Sequence, residues 1–347
     1  MQADIRQIEV IAPNLKRRLS GVTATIARLV PVQARMIGIA ATGPGLPAAV
    51  PHVALLRCAL LPRDRVRVWH ARRNTEMLAG LVLKHVFRRR LKLLFTSASQ
   101  RKHTGYTRWL IARMDALVAT SRKTAAYLNR PATVILHGID TGAFCPPVDR
   151  TALRKRLGVP QDQYLIGCFG RIREQKGTGD FVSAVSAVLS RNPEATAIVM
   201  GRATEEHRAY LADLQSQVAA SGLSGRILFL PEVPVDAVAD WYRVLDLFVA
   251  PQRWEGFGLT PVEAMACGVP VVATRVGAFD EIVADGETGL LTDPGDITGL
   301  GSAIGRLIDD SALRARMAAA SLARARSAFR IEDEAAALVA LYRGLLE

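Results

Sequence analysis

The sequence predicts an α/β protein built from two doubly wound, Rossmann-like domains. Short apolar runs of strand length alternate with segments of helical apolar spacing along most of the chain. The length of 347 residues exceeds that of one small domain and fits two. The alternation is interrupted once, at 141–160, where prolines flank a short basic segment. We therefore predict a first domain over 1–150 and a second over 151–330.

In the first half, apolar runs predict strands over 5–12, 66–69, 91–95, 116–119 and 134–136. Predicted helices begin near Val22 and Ser121, and a third spans 74–87. The uncharged stretch 36–56 is long enough to cross a bilayer, but it contains three glycines and three prolines. Such a broken backbone is costly in lipid, so we predict buried strand pieces and loops there.

In the second half, the same alternation predicts strands over 164–169, 197–200, 227–230, 247–250 and 269–274. Helices are predicted over 178–190, 205–220 and 261–267, with another from about Asp236, and the last 50 residues are mainly helical. Strands joined by helices form parallel sheets, and such sheets bind ligands at the carboxyl ends of their strands. We expect the two domains to face each other across one cleft.

Composition limits the class of protein. The four cysteines lie far apart without a Cys-x-x-Cys pair, which excludes a zinc ribbon or a disulfide scaffold and fits a reducing compartment. The opening residues do not read as a signal peptide. Residues 1–150 carry a charge balance of +18, whereas residues 151–347 carry −5. This asymmetry predicts an acidic partner for the first half: nucleic acid, an anionic lipid surface or a phosphorylated substrate.

Two strand-end segments are suited to phosphate. The segment Gly170-Arg171-Ile172-Arg173-Glu174-Gln175-Lys176-Gly177 follows a buried strand and frames two cations with glycines. Arginine offers a planar fork to phosphate oxygens and lysine a point charge, so Arg171 and Lys176 suit a diphosphate. The alternative is a solvated basic turn. Gly21, which leads from a loop into a helix, offers amides to a phosphate, or else marks a plain turn.

A glycine-rich segment after the strand at 247–250 carries two carboxylates, Glu255 and Glu263. Thr260 as N-cap, Pro261 in the first turn and Glu263 three residues after the cap predict a capping box. That explanation leaves Glu255 and the adjoining glycines unassigned. A carboxylate beside exposed loop amides suits a polyhydroxylated sugar, because it accepts from hydroxyls while the amides donate to oxygens.

Histidines and metal ligands give a weaker signal. His70 ends a predicted strand in the basic half, where it is either structural or catalytic. His103 lies in a charged run and His137 before a glycine, which are typical of a solvated face and a turn. No Asp-x-Asp motif occurs, and no His or Cys cluster has metal-ligand spacing. We expect no dedicated metal site.

Long motifs in the second half resemble glycosyltransferase family 4, whose members are retaining enzymes of the GT-B fold. The resemblance is carried by Gly170-Arg171…Lys176-Gly177 and by Ala250-Pro251…Glu255-Gly256-Phe257-Gly258-Leu259-Thr260-Pro261-Val262-Glu263-Ala264-Met265-Ala266-Cys267-Gly268-Val269-Pro270. It continues through Gly277…Glu281-Ile282-Val283…Gly286…Thr288-Gly289 and covers roughly residues 130–330. The family's fold implies that the C-terminal helix, 331–347, crosses back to the first domain.

The resemblance implies a role for each matching residue. Arg171 and Lys176 match the pair that holds the donor diphosphate. Glu255 matches the carboxylate that faces the donor sugar, and Glu263 matches the group that bonds the nucleotide ribose. Gly21 matches a glycine loop that reaches the phosphates from the first domain.

Further donor contacts are implied nearby. The amides of Gly256, Phe257 and Gly258 lie beside the sugar carboxylate, and Leu259 continues that loop. Val233 lies in the segment 230–235, which we expect to contact the base through backbone and shape. The family generally needs no metal, because cations and amides stabilise the leaving diphosphate, so we expect metal-independent catalysis without a further cofactor. In this family, retention of the anomeric configuration is explained by attack of the acceptor on the face from which the nucleotide departs. The resemblance therefore implies no protein nucleophile.

The first half is similar to lipopolysaccharide core mannosyltransferases of α-proteobacteria. The similar segments are Val68-Trp69-His70-Ala71-Arg72-Arg73-Asn74-Thr75-Glu76, Phe95-Thr96-Ser97-Ala98-Ser99-Gln100-Arg101-Lys102-His103 and Met114-Asp115. These enzymes use GDP-mannose to mannosylate the inner-core Kdo of a lipid A precursor. Many relatives in the broader family carry a histidine where this chain has Thr96-Ser97-Ala98-Ser99, so His70 or His103 is the candidate to replace it.

These observations predict a retaining mannosyltransferase that transfers mannose from GDP-mannose to a Kdo-lipid A acceptor. The basic first domain suits an anionic membrane surface, with candidate contacts at Lys16-Arg17-Arg18, Arg88-Arg89-Arg90-Leu91-Lys92 and Arg101-Lys102. We therefore expect a cytoplasmic enzyme, peripheral on the inner membrane. The alternatives are a family 4 enzyme with a UDP-sugar donor and, from another class, a basic nucleic-acid-binding protein. The sequence indicates no oligomeric state.

Overall fold

The chain divides into two compact units in the computed structural model, which describes residues 4–16 and 21–347. The first unit comprises the chain up to Gly138 together with Ile331–Glu347, and the second comprises Ile139–Arg330. Each unit is built around its own six-stranded sheet, and all neighbouring strands in both sheets run parallel. The predicted α/β class is confirmed.

The first sheet has the strand order β2-β1-β3-β4-β5-β6. Its strands are β1 (Val10–Pro13), β2 (Ile39–Thr42), β3 (Arg67–Ala71), β4 (Leu91–Ser97), β5 (Ala116–Ala119) and β6 (Thr133–Val134). The central strands are buried on both sides, as expected for parallel strands covered by helices. Because β1 and β3 are neighbours while β2 lies outside them, the strand order reverses between β1 and β3.

Helices cover this sheet in two layers. One apolar core lies between the sheet and α2 (Leu55–Cys58), α3 (Asn74–His85), α4 (Gly105–Ile111) and α5 (Arg122–Ala125). A second core, on the other face, lies between the sheet and α1 (Gly21–Gln33) and α14 (Ile331–Leu346). The last helix is therefore part of the first unit.

The second sheet has the strand order β12-β11-β10-β7-β8-β9. Its strands are β7 (Tyr164–Phe169), β8 (Ala195–Met200), β9 (Ile227–Leu230), β10 (Leu247–Ala250), β11 (Val271–Thr274) and β12 (Gly289–Thr292). The helices are α6 (Arg150–Leu157), α7 (Thr178–Leu189), α8 (Arg208–Ala220), α9 (Val238–Arg243), α10 (Thr260–Ala266), α11 (Phe279–Ile282), α12 (Ile297–Asp309) and α13 (Ser311–Ala328). Here the order reverses between β7 and β10.

The domain boundary lies earlier than predicted from the prolines. Ile139 already belongs to the second unit: its amide donates to the carbonyl of Phe329 at 2.8 Å. The proline segment is bound to the same unit, because Arg243 on α9 donates to the carbonyl oxygens of Ala143 and Cys145. The break in alternation at 141–160 is therefore a loop and a helix lying on the second unit, and the boundary is at 138/139 instead of 150.

Other sequence expectations match in part. The uncharged stretch 36–56 contains β2 and loops, as predicted. The first strand begins at Val10 instead of residue 5, and the short helix α4 and strand β12 were not predicted. Across the described residues, the structure has no helix of sufficient length and apolarity for a membrane span.

Candidate functional site

The second sheet places the two predicted ligand segments side by side. β7 and β10 are hydrogen-bonded neighbours, so the loop that follows each strand leaves the same carboxyl edge. The first loop carries Arg171 and a short 3₁₀ turn, Glu174–Lys176; the second runs from Pro251 to Gly258. This is the point at which the strand order reverses, where doubly wound sheets open a crevice for ligands. A predicted nucleotide-sugar site at this edge agrees with the topology.

An ion pair that sequence reasoning missed ties the two loops together. Arg253 donates from Nε and Nη2 to the two carboxylate oxygens of Asp180, at 2.7 and 2.6 Å. Asp180 lies in the first turn of α7 and is buried. The Arg253 amide also donates to the carbonyl of Gln175. Such a bidentate pair fixes both distance and orientation, but its members are 73 residues apart. No local sequence signal joins them.

Glycines permit the close approach of these loops. Gly177 has φ +69°, and a Cβ there would lie 1.8 Å from the carbonyl oxygen of Pro251. Gly258 has φ +85°, and a Cβ there would lie 2.2 Å from the ring of Phe279. Both positions therefore need glycine for conformation and for space.

Lys176 and Glu255 meet at the centre of the site. The Lys176 ammonium donates to Glu255 Oε2, and both side chains are mostly buried. The Gly256 amide donates to Glu255 Oε1 at 2.9 Å. An ammonium has three protons and a carboxylate has about four acceptor positions, so both groups keep capacity for a ligand. Arg171 is exposed nearby and makes no hydrogen bond or ion pair with any described residue.

Glu263 does not form the predicted capping box. The N-cap of α10 is Leu259 instead of Thr260, and no side chain caps the helix. Glu263 Oε2 instead accepts a hydrogen bond from the hydroxyl of Tyr242 at 2.9 Å. Burial raises the pKa of Tyr242 well above its usual value, and the Glu263 carboxylate raises it further, so this hydroxyl stays a donor. Glu263 is thus positioned from beneath while remaining partly exposed.

Several buried polar atoms beside these loops have no partner among the described residues: Arg173 Nε, Gln252 Oε1 and Thr260 Oγ1. Buried polar groups are normally hydrogen-bonded, so such a concentration at one edge is a feature of a binding site. Val233 lies on the same carboxyl edge, in the loop after β9. That loop is two strands away from β7, about 10 Å along the sheet.

The first unit has a related arrangement where its own strand order reverses. Asn14, after β1, accepts from Arg73, after β3, at 2.9 Å. Arg73 also pairs with Glu76, whose fully buried carboxylate accepts from the amides of Leu15 and Arg72. The loop after β1 is therefore tethered to the loop after β3.

The predicted phosphate-binding glycine, Gly21, begins α1 and is exposed. A Cβ at Gly21 would meet no atom within 4 Å, so no neighbour requires glycine there. Its role toward a ligand stays a prediction. Residues 17–20, just before Gly21, lie outside the described part of the chain. They include Ser20 of the same loop and Arg17 and Arg18 of the basic cluster named above.

The structure argues against the prediction that His70 contacts the substrate. His70 on β3 is fully buried, and both ring nitrogens have partners: the Tyr342 hydroxyl at Nδ1 and the Thr96 hydroxyl at Nε2, each at 2.6 Å. Arg72, which can only donate, lies 3.4 Å from Nδ1, so Nδ1 is the acceptor and Nε2 carries the proton. Burial lowers the pKa of His70 well below its usual value, and Arg72 lowers it further. His70 is a neutral structural link between β3, β4 and α14.

A small cavity lies at this edge of the first unit, lined by polar groups, among them Arg72 and Glu334, and by the aliphatic side chains of Val118, Ile135 and Leu338. Glu334 on α14 accepts from His137 Nδ1 at 2.7 Å and from the Gly138 amide at 2.8 Å. Arg72, in contrast to Arg73, has no carboxylate within ion-pair distance among the described residues. Its partly buried guanidinium therefore carries an unneutralised charge beside the cavity.

His103, the other candidate for the missing histidine, lies just before α4 and is half-buried. Its Nε2 is buried and has no hydrogen-bond partner in the described part of the chain, and burial lowers its pKa. No group of three or more His, Cys, Asp or Glu side chains that could hold a metal ion occurs within 4–16 and 21–347.

The chain has two Rossmann-like units, and the second has a crevice with cations suited to a diphosphate. This combination is typical of glycosyltransferases with the GT-B fold. The family model described as glycosyl transferases group 1 matches residues 149–324, and the chain belongs to that family. It is 54% identical to the lipopolysaccharide core biosynthesis mannosyltransferase LpsB of Rhizobium meliloti, across 99% of both chains. It is 50% identical to LpcC of Rhizobium leguminosarum bv. viciae, a mannosyltransferase with the same description, across 99% of this chain and 98% of that one.

The solved structure of Anabaena Alr3699/HepE in complex with UDP has the same fold. Its TM-score is 0.86, at 21% identity over 97% of this chain and 100% of that one. The predicted GT-B fold and the glycosyltransferase assignment are therefore confirmed, and the chain is an enzyme.

The neutral His70 makes stability depend on pH in a defined direction. In the unfolded chain its pKa is about 6.5, so the unfolded state binds the proton first and folding weakens as the pH falls below that value. The free energy of unfolding should fall by about 1.4 kcal/mol per pH unit from this group, until the folded-state pKa is reached. Urea unfolding at several pH values between 7.5 and 5 should give a shallower slope for His70→Gln than for wild type.

The matched control is His85→Gln, at an exposed histidine of the same unit. That variant should keep the wild-type slope. Equal slopes for wild type and His70→Gln would show that His70 is not held neutral in the folded protein.

Proposed function

We propose that the enzyme transfers mannose, with retention, from GDP-mannose to the Kdo inner core of a lipopolysaccharide precursor. The observation that carries the proposal is the contact of Lys176 with Glu255 beside the exposed Arg171, at the reversal of strand order in the second sheet. The two rhizobial relatives, matched over nearly their whole length, support mannose and the lipopolysaccharide core. The finer assignments, GDP as carrier and Kdo as acceptor, rest on the similarity of the first half.

The donor's charged part requires cations, which the loop after β7 supplies. Arg171 presents a guanidinium that has no partner among the residues the structure describes, and Lys176 has two protons left beyond the one it gives to Glu255. These groups stabilise the negative charge that grows on the diphosphate as its bond to the sugar breaks. Arginine and lysine thereby fill the part that a metal ion has in other transferases, so we propose metal-independent transfer.

Glu255 is suited to the sugar. Its Oε1 is oriented by the Gly256 amide and its Oε2 by Lys176, so the remaining lone pairs point in fixed directions. Sugar hydroxyls donate to such a carboxylate. The amides around Phe257 and Gly258 adjoin it, Leu259 continues the loop, and Glu263 accepts from a ribose hydroxyl while Tyr242 holds it. Val233 and its loop contact the base, and Gly21 approaches the phosphates.

The transfer step needs no protein nucleophile. The acceptor hydroxyl forms a bond to the anomeric carbon on the face from which the diphosphate departs, and the bond from that carbon to the phosphate oxygen breaks. The departing phosphate oxygen takes the proton of the acceptor hydroxyl. Products are the mannosylated acceptor and the nucleoside diphosphate, and the anomeric configuration is retained.

The acceptor's carboxylate suits Arg72. The Arg72 guanidinium is partly buried and lies within hydrogen-bond distance of His70, and the Arg72 backbone amide donates to Glu76. The described part of the chain supplies no carboxylate to pair with this guanidinium. Arg73, next to it, is already neutralised by Glu76. A Kdo carboxylate would pair with Arg72, which explains why a charged group is held at this edge of the first unit.

We also place the enzyme in the cytoplasm, peripheral on the inner membrane, because the proposed acceptor is a membrane lipid and the first domain is strongly basic. Nucleic-acid binding is less well supported: the second unit carries a donor site and a net negative charge, which a nucleic-acid binder would not need.

The donor is checked by thermal shift with GDP, GDP-mannose, UDP and UDP-glucose. A ligand that binds only the folded state at about 100 times its Kd stabilises it by about 2.7 kcal/mol, which shifts the midpoint by a few degrees. We expect the shift with GDP and GDP-mannose only. A shift confined to UDP species would keep the site but replace the donor, as the UDP bound to HepE illustrates for another member of the fold.

Replacing Glu255 by Gln keeps the shape of the side chain and removes its charge. We expect mannosyl transfer to fall by about 100-fold or more, because one preorganised electrostatic group is removed from the reacting sugar. The shift with GDP should persist, because the diphosphate contacts remain. Glu205→Gln, at an exposed glutamate of the same unit, is the control. Turnover near wild type in Glu255→Gln would refute the site.

Replacing Arg72 by Gln tests the acceptor contact. A hydrogen bond to a charged partner is worth about 1.5–3 kcal/mol, so the acceptor KM should rise by about tenfold to a hundredfold, with the donor KM unchanged. An acceptor whose carboxyl is reduced to an alcohol should show no difference between wild type and variant. Arg35→Gln, at an exposed arginine of the first unit, is the control. An equal loss with both acceptors would assign Arg72 a structural role.

A further inference from the structure

Exposed apolar side chains are concentrated in the first unit. Among the described residues, fifteen large apolar side chains are exposed, and twelve of them belong to this unit. Ten of the twelve lie on α2–α5 or the loops beside them: Leu55, Leu56, Leu60, Leu78, Val82, Val86, Phe87, Tyr106, Trp109 and Tyr127. Leu56, Leu60 and Val86 are 84%, 75% and 69% exposed. The opposite layer, α1 and α14, has no comparable concentration among its described residues.

We call the outer surface of α2–α5 and their adjoining loops the docking face. At the edge where the strands of the sheet begin, this face is formed by residues 55–65 and 86–90, which are joined by hydrogen bonds. Arg63 and Arg89 donate to the carbonyl oxygens of Phe87 and Leu61, at 3.3 and 2.5 Å. The exposed side chains of Leu60 and Phe87 are therefore parts of one surface.

The turn at the end of this surface has an unusual backbone. Arg88 has φ +52°, in the left-handed region, and no other non-glycine residue among those described has a positive φ. A turn without another role would favour glycine or asparagine there. Here an arginine occupies it, between the exposed Phe87 and the exposed Arg90.

Another part of the docking face, on α4, carries exposed aromatic side chains. On α4, Tyr106 and Trp109 stack with ring centroids 6.3 Å apart, and both are about half exposed. The Arg113 guanidinium lies 3.9 Å from the centre of the Trp109 ring. Trp and Tyr with adjoining arginine are the side chains found at the headgroup level of membranes.

Positive charge surrounds these apolar groups. Exposed cations on the docking face are Arg57, Arg63, Arg65, Arg88, Arg90, Arg101, Lys102, Arg108, Arg113 and Arg122. The acidic groups there are few: Asp64 lies within 3.5 Å of Arg65 and Arg67, and Asp115 pairs with Lys84. A phosphate backbone gains nothing from exposed leucines, because its contacts are charged and polar. An anionic bilayer uses both, with cations at headgroups and apolar side chains at the acyl boundary.

We propose that the docking face lies on an anionic phospholipid bilayer, with the apolar side chains of 55–60 and 86–87 inserted among the headgroups and the arginines of 88–90 paired with lipid phosphates. The proposal rests on the proposed function, since it gives the enzyme its access to a lipid-borne acceptor. It adds an apolar contribution to the membrane binding that charge alone predicts, and salt does not screen that contribution.

The experiment is flotation with vesicles of two compositions: phosphatidylcholine alone, and phosphatidylcholine with about 30 mol% of the anionic lipid phosphatidylglycerol. The wild-type protein should float with the anionic vesicles and retain part of its binding at about 1 M salt, where exposed charges are screened. Arg88→Gln with Arg90→Gln should lower the partition coefficient about fivefold per arginine in low salt. Leu56→Ser with Leu60→Ser should lower it by about tenfold or more and remove the salt-resistant part.

Matched controls lie in the second unit. Val148→Ser replaces a fully exposed valine and Arg316→Gln an exposed arginine, and both should bind as wild type. The proposal is overturned if wild type does not float with anionic vesicles, or if the controls lose as much binding as the docking-face variants. Binding abolished entirely by salt would leave electrostatic attraction alone and contradict insertion.

Activity on a delipidated, water-soluble acceptor separates the two proposals. The docking-face variants should keep wild-type activity on that acceptor and lose it on vesicles that carry the lipid acceptor. Transfer to the soluble acceptor without vesicle binding would refute docking and leave the proposed function intact. Vesicle binding without any mannosyl transfer would do the reverse.

Discussion

The site depends on the reversal of strand order between β7 and β10. Every other neighbouring pair in the second sheet is consecutive in the chain and joined through a helix, whereas β7 and β10 are not consecutive and their loops lead to different helices. Their loops leave the sheet side by side, and something must hold them at a fixed spacing. Arg253 and Asp180 do so, with two hydrogen bonds that join the second loop to the first turn of α7. The carbonyl of Pro251 then fits against Gly177 only because that residue has no side chain.

The charges of the candidate site are only partly balanced by one another within the protein. Lys176 and Glu255 neutralise each other, which limits the cost of holding two partly buried ions in the absence of substrate. Arg171 is left over as one exposed positive charge. In the proposed donor complex, a diphosphate would supply negative charge beside both cations and a sugar would supply hydroxyl donors to Glu255. Binding therefore extends an existing hydrogen-bond arrangement without requiring the Lys176–Glu255 pair to break.

The sequence predicted the architecture well because parallel strands are nearly continuous apolar runs, and such runs are visible locally. It also selected Arg171, Lys176 and Glu255, and the structure brings Lys176 and Glu255 into contact, while the role of all three toward a ligand stays a prediction. It did not identify Asp180 and Arg253 as a pair, because their contact depends on which strands are neighbours. The capping box at Thr260 failed for a related reason: Glu263 has a tertiary partner, Tyr242, that competes with the helix end.

His70 shows the limit in the opposite direction. A histidine at the end of a parallel strand lies where ligands bind, so its position left a catalytic role open beside a structural one. The last helix changes the surroundings of His70. Tyr342, 272 residues further along the chain, packs against the imidazole ring and accepts a hydrogen bond from Gln33. No local pattern contains that information. Once the ring is buried and neutral, the polar group that remains available at this edge is Arg72.

The first sheet thus separates two tasks between its two helical layers. The α1–α14 layer carries the buried network that fixes the carboxyl edge, with Tyr342 and Glu334 both reaching it from α14. The α2–α5 layer has its own apolar core beneath it, so its outer surface is free of any packing requirement. Single exposed apolar side chains are normal on a protein surface and would need no explanation. Ten exposed apolar side chains on one layer, interleaved with arginines, are a different matter, and they are the observation behind the proposed docking on an anionic bilayer.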